Sequence, residues 1–201
     1  MGIFRQIESS GRQAGDALDL TLQGEVTRYF TGLMQYTLSR TKNNTGGITW
    51  FPANQYDLAG EWARADFDQR HRFNMLGSFN TGKRMSLGAG VTLNSRGAYT
   101  MTTGTDPYHT GMANARPAGV PRNSLEGPGY ADVDLRFARD FYWNKAKKDK
   151  GAVATLAFDA FNVLNHVNYA GYVGNELSPF FGQAVAALPT RRLQVTARFK
   201  F

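Results

Sequence analysis

The last eleven residues constrain the fold most. Leu193, Val195, Ala197, Phe199 and Phe201 fall on one face of an extended chain, and Arg192, Gln194, Thr196, Arg198 and Lys200 fall on the other. Helical spacing would mix these two sets, whereas the two-residue period of a strand separates them completely. The pattern recurs upstream. From Lys83 to Asn94, Met85, Leu87, Ala89, Val91 and Leu93 alternate with polar or small residues. From Tyr130 to Phe141, Val133, Leu135, Phe137 and Phe141 alternate with Asp132, Asp134, Arg136 and Asp140. The stretches Ala17 to Glu25, Arg70 to Phe79 and Ala152 to Asp159 follow the same rule. Tyr29 to Thr41 reads as a strand with less clean alternation, and Gly2 to Glu8 as a weak first strand.

This predicts about eight strands, several of about 10 residues or more. Strands of about 9–11 residues cross a bilayer when tilted, whereas soluble strands are usually nearer 5–6 residues. The connections sort by length. Val26–Arg28, Asn80–Gly82 and Trp143–Lys150 are short; Lys42–Gln69, Ser95–Gly129 and Asn165–Thr190 are long. Outer-membrane barrels have short periplasmic turns and long external loops, and a soluble sandwich has no reason to sort its loops this way. The expected fold is therefore all-β, an antiparallel up-and-down transmembrane barrel segment with the C-terminus in the periplasm. The outward face is predicted to hold Leu18, Leu20, Leu22, Met85, Leu87, Val91, Leu93, Val133, Leu135, Phe137, Leu156, Phe158, Leu193, Val195 and Phe199. Tyr29 and Phe30, then Phe141, Tyr142 and Trp143, then Phe199 and Phe201 lie at periplasmic strand ends, as an interfacial aromatic girdle would.

Composition narrows the alternatives. Twenty-two glycines and 13% aromatic residues lean toward strands and turns, and the chain has no cysteine, which excludes disulfides, thiolate zinc sites and a cysteine nucleophile. The formal charge of +7 invites a nucleic-acid reading, but the basic residues are scattered. The one cluster, Lys145, Lys147, Lys148 and Lys150, reads as a solvated turn, and no nucleic-acid partner is expected. Basic surface could equally meet the phosphates of lipopolysaccharide. No apolar run reaches the length of about 18 residues a membrane helix needs, and residues 1–10 do not read as a signal peptide.

Candidate chemistry is sparse. Gly77-Ser78-Phe79-Asn80-Thr81-Gly82-Lys83-Arg84 nearly matches a phosphate-binding loop, but Arg84 replaces the hydroxyl that would hold magnesium and a strand follows instead of a helix. A hairpin turn is the better reading. His71, His109 and His166 lack ligand spacing. Asp106, Tyr108 and His109, in the longest loop, are candidate ligand contacts. Asp132, Asp134 and Asp140 read as lumen-facing polar residues. No catalytic residue, metal or cofactor is expected.

Three segments carry a family resemblance. Glu126-Gly127-Pro128-Gly129-Tyr130-Ala131-Asp132-Val133-Asp134-Leu135 looks like the entry to a late barrel strand. Phe158-Asp159-Ala160-Phe161-Asn162-Val163-Leu164-Asn165-His166-Val167-Asn168-Tyr169 resembles the next strand and its loop, and residues 191–201 resemble a closing strand with its terminal Phe. Gln69 to Phe73 and Tyr36 to Arg40 also fit. In order and spacing these resemble TonB-dependent outer-membrane receptors, in the Oar-like subgroup with a carboxypeptidase-regulatory-like domain. The resemblance implies a plugged barrel importing bulky nutrients with energy from the inner-membrane TonB complex. It also implies that Leu193, Val195, Ala197, Phe199 and Phe201 form the signal read by the barrel-assembly machinery. Residues 1–201 are then expected to be the C-terminal segment of a larger barrel, without plug or signal peptide, reaching TonB only through an N-terminal part outside this sequence. Its other partners would be outer-membrane lipid and lipopolysaccharide. One alternative is an autonomous eight-stranded barrel with a structural or adhesion role; another is a soluble β-sheet ligand-binding protein, which detergent dependence would separate.

Overall fold

A computed structural model describes residues 6–80, 84–142 and 153–200. Seven long strands dominate them: β1 (Gln13–Thr27), β2 (Phe30–Asn43), β4 (His71–Asn80), β5 (Met85–Asn94), β8 (Tyr130–Tyr142), β9 (Val153–Phe161) and β12 (Arg192–Lys200). They pair in that order into one antiparallel meander, each beside its neighbour in sequence. A two-residue strand, β3 (Ala63–Arg64), adds to β2 and brings the sheet to eight strands. Two small hairpins lie in the long loops: β6 (Ala98–Tyr99) with β7 (Leu125–Glu126), and β10 (Tyr169–Tyr172) with β11 (Ala184–Ala187).

The registers explain the alternation. Residues paired directly across a ladder project from the same face. Starting from Phe30, the partners run Phe79, Leu87, Phe137, Phe158 and Val195, one row of large apolar side chains across six strands. A parallel row runs Leu20, Tyr36, Phe73, Leu93 and Ala131. All fifteen residues predicted to face outward share this face. It remains largely uncovered: Leu22 is 70% exposed, Val195 69% and Leu193 62%. Soluble sheets rarely leave such a face bare, since the largest exposed apolar patch on a typical monomer is about 300–600 Å². From Phe30 to Leu38 the belt on β2 spans eight residue steps, about 27 Å along the strand and roughly 20 Å after tilting, close to the apolar band of a barrel.

The other face is polar. Arg136 bonds Asp159 at 2.7 Å across the β8–β9 ladder, Thr155 donates to Asp140 at 2.6 Å, and Thr37 donates to Asp19. Asp134 instead accepts the backbone N–H of Asn162 at 2.9 Å. Leu33 and Leu76 interrupt this face, in register with Gly90. Among the described residues the buried apolar ones are all alanines, and the large apolar side chains of the strands lie mainly on the exposed face.

Some expectations shift. Gln6 to Glu8 are not in a strand, and the remainder of the expected first strand lies outside the described residues. The strand starts instead at Gln13 and extends the Ala17–Glu25 alternation at both ends. The turn after it centres on Arg28 and Tyr29, where Thr27 Oγ1 accepts the N–H groups of Tyr29 and Phe30. The expected turns at 81–82 and 143–150 also lie outside the described residues. Among the described residues, no ladder joins β12 to β1.

Candidate functional site: the long-loop cap

The three long connections leave one rim of the sheet and pack on one another. They are not separate featureless loops. Glu61, on a single turn of 3-10 helix (Ala59–Glu61), is 1% exposed. Its carboxylate receives the guanidinium of Arg116 at 2.9 and 3.0 Å and the N–H of Ala53 at 2.8 Å, tying the first loop to the second. A buried carboxylate with three donors is satisfied; stripped of them it would be costly. Asn114 adds donors to the carbonyls of Phe51 and Pro52. Arg122 passes under this contact to Asn43 at the end of β2, with its guanidinium 5.2 Å from the Trp50 ring centroid. Burial pushes the Arg122 guanidinium below its ordinary range, while Glu61 and Asp66 act the other way.

The second and third loops lock through the motif residues. Asn168 behaves like an added piece of strand: its Oδ1 accepts the N–H of Ala131 at 2.9 Å and its Nδ2 donates to the Ala131 carbonyl at 2.8 Å. Asn162, in the left-handed region at φ 49°, accepts the N–H of His166 and donates to its carbonyl, closing the turn that carries Asn168 into place. Gly127 is required because the Tyr172 ring occupies the space a Cβ would take, and Tyr172 stacks on Tyr99 with ring centroids 5.0 Å apart. Burial raises the Tyr172 phenol above its usual range. Thr102 N–H donates to the Gly174 carbonyl and Glu176 N–H to the Thr102 carbonyl.

The sequence candidates fall in three places. Asp106, Tyr108 and His109 form an exposed turn on the second loop. Asp106 accepts the N–H groups of Thr110 and Gly111 at 2.9 and 2.7 Å, and these bonds hold its carboxyl below the usual carboxylate range. Its role there is to shape the turn, leaving Tyr108 and His109 exposed at its tip. At the opposite rim stand Tyr29, Phe30, Phe141 and Tyr142. The Phe30 ring lies over Gly32 and Gly77, filling the gap those glycines leave on the apolar face. Phe141 is on that same face, but Tyr142 projects from the other one, where Arg84 lies over its ring at 4.7 Å. Trp143 and Phe201 lie outside the described residues. Leu193, Val195, Ala197 and Phe199 share the apolar face of β12.

Sequence reasoning missed Glu61, Arg116 and Arg122, whose partners stand 55 to 79 residues away. A signal existed in the aromatic content of the loops: Trp50, Phe51, Trp62 and Tyr99 are unusual in segments meant only to be solvated. Among the described residues, no group of three His, Asp or Glu could hold a metal.

A family model described as an outer membrane beta barrel domain matches residues 1–117 and again residues 77–194. Neither a curated protein nor a solved structure matches the chain. The double match suits a meander in which one hairpin repeats the pattern of the last, and the location it carries is the outer membrane of a Gram-negative bacterium.

Proposed function

The chain belongs to the outer membrane β-barrel domain family, and from that premise we propose that it is the C-terminal part of a TonB-dependent receptor of the Oar-like subgroup. In this reading the long-loop rim faces outside, the chain is not an enzyme, and the cap is the outer wall of an import path for bulky nutrients. One observation carries it. The two segments that resemble receptor motifs, separated in sequence, meet through the paired Asn168–Ala131 hydrogen bonds, and Tyr172, three residues past the second segment, lies against Gly127 of the first. Motif residues with a shared structural task are what a family-specific loop arrangement requires. Among the described residues no ladder joins β1 to β12, which is compatible with a share of a larger barrel.

The test uses the natural gene product with an affinity tag, expressed in its own host. In-vivo cross-linking should capture the TonB complex, and deleting the gene should slow growth on a scarce bulky nutrient only while that complex is intact. Absence of both effects, together with a compact heat-modifiable species of this chain in which cysteines at Asp19 and Thr196 cross-link, would instead establish the small autonomous barrel.

A further inference from the structure

The apolar face of β2 ends abruptly. After Met34, Tyr36 and Leu38, the next two residues on that face are Arg40 and Lys42. His71 stands opposite Leu38 on β4, with Arg70 just before it. Arg64 on β3 pairs with Lys42 in register, and Arg96 follows β5. These six side chains line one open cleft of about 660 Å³ at the long-loop rim. Two acids reach it, and both are taken: Arg64 bonds Asp68 at 2.9 Å and Glu126 at 2.7 Å, with Arg96 3.7 Å from Glu126. Asp16 faces Arg40 across the β1–β2 ladder without forming an ion pair. Among the described residues, Arg40, Lys42 and Arg70 have no ion-pair partner.

Five Lys or Arg against two carboxylates leave an excess of three positive charges among the lining side chains, and of two when Asp16 opposite Arg40 is counted. Like charges gathered beside a low-dielectric surface repel one another, and an anion relieves that cost. Arg offers forked donors that match a phosphate, and Lys a point charge. The position narrows the anion further. Below Arg40 and Lys42 on the same face come Leu38 and then Tyr36, Phe73 and Leu93, the start of the apolar belt. Tyr36 donates or accepts at His71 Nδ1 (2.8 Å) with the rings stacked, an amphipathic pair at a membrane interface. A ligand for this place has a phosphate above and hydrocarbon below.

We propose that this cleft binds a phosphate of lipid A, the lipopolysaccharide anchor, from the outer leaflet, with Arg40, Lys42 and Arg70 as the free cations and the acyl chains lying on Tyr36, Phe73 and Leu93. The inference rests on the long-loop rim facing outside and is independent of TonB-driven import.

The experiment takes the natural gene product from its own outer membrane in mild detergent and measures retained lipid A by mass spectrometry. The wild type should keep lipid A, and the Arg40→Gln/Lys42→Gln/Arg70→Gln protein should keep about tenfold less, a loss equivalent to one strong charge-assisted contact. Arg70→Gln alone, outside the strands, should reduce retention without touching the ladder and serves if the triple variant fails to assemble. A control triple away from the cleft, Arg72→Gln/Arg139→Gln/Arg198→Gln, should keep wild-type retention. Enzymatic removal of the lipid A phosphates should reduce binding as the cleft substitutions do. Equal loss in the control triple, equal retention of dephosphorylated lipid A, or displacement by millimolar inorganic phosphate would each overturn the proposal. An impermeant label on a cysteine at Thr105 of intact cells reports the rim's orientation separately, so an inverted barrel is told apart from an empty cleft.

Discussion

An arginine placed at Leu135 tests the inside–outside assignment at its most sensitive point. Leu135 is the middle of the β8 apolar row, four residues from Ala131 at one rim and four from Arg139 at the other. At about 3.4 Å per residue and a tilt near 40°, it lies roughly 10 Å from either rim. An arginine reaches about two-thirds of that distance, so its charge cannot escape to water by snorkelling. Its cost should be about 2–4 kcal/mol, falling to about 0–1 kcal/mol near an interface. Leu93→Arg, beside the cationic rim, should therefore be nearly tolerated. On the polar face, Thr92 stands opposite Asp132, whose Oδ1 is buried without a hydrogen-bond partner. Thr92→Arg should cost little, because it brings a counter-charge to that carboxylate. Denaturant titration of folding into phospholipid vesicles, followed by gel mobility, measures all three in the natural gene product. The expected gap between Leu135→Arg and Thr92→Arg is at least tenfold in the folding equilibrium, about 1.4 kcal/mol. Equal costs on the two faces, or a larger cost at Leu93 than at Leu135, would refute the placement of the sheet in the bilayer.

The cap yields further expectations. Arg116→Ala leaves Glu61 buried without its main partner and should destabilise the first two loops by about 3–5 kcal/mol, read as protease cleavage within 44–62 while the sheet stays intact. Asn168→Ala unpairs both backbone groups of Ala131 and should cost about 1–3 kcal/mol per group, seen as faster hydrogen exchange at the start of β8. The Asp106 turn should hold through the ordinary carboxylate range. A lowered folded-state pKa contributes stability that is complete above the unfolded value and lost only as pH falls through the folded one, so amide exchange at Thr110 and Gly111 should accelerate only at stronger acidity. A cysteine at Thr105 should react with an impermeant thiol reagent on intact cells and one at Arg28 should not; the opposite pattern would invert the topology.

The strands were legible because their determinant is local. Period-two alternation is written into adjacent residues, and a register slip of one would turn the entire apolar set to the wrong face. Hence Met85–Asn94 and Arg192–Lys200 fall within a residue or two of their expected limits. The sorting of short and long connections was legible for the same reason, since spacing between alternating runs is itself a sequence quantity. The weak first strand was not, because Gln6 to Arg12 has no alternation to anchor a register. The loops were illegible in a different way. Glu61 finds Arg116, and Asn43 finds Arg122, only after the sheet has brought three distant segments to one rim. Polar residues such as Asn114 and Asn168 bond backbone groups far away in the sequence.

That arrangement has a consequence for how the molecule is held together. A soluble domain ties its elements by an apolar core, yet among the described residues the buried apolar ones are alanines, and most large apolar side chains of the strands lie on the exposed belt. Lipid hydrocarbon is as apolar as leucine, so the exposed belt fixes the sheet in the bilayer but does not hold one strand to another. Cohesion comes instead from the backbone ladders, which hydrocarbon makes obligatory, and from the polar contacts at the long-loop rim. The one at Glu61 is charged and buried, and it is all-or-none: Glu61 with its donors is stable, and without them it is a buried unpaired charge. The cap is therefore expected to open as a unit, with the sheet beneath it unchanged.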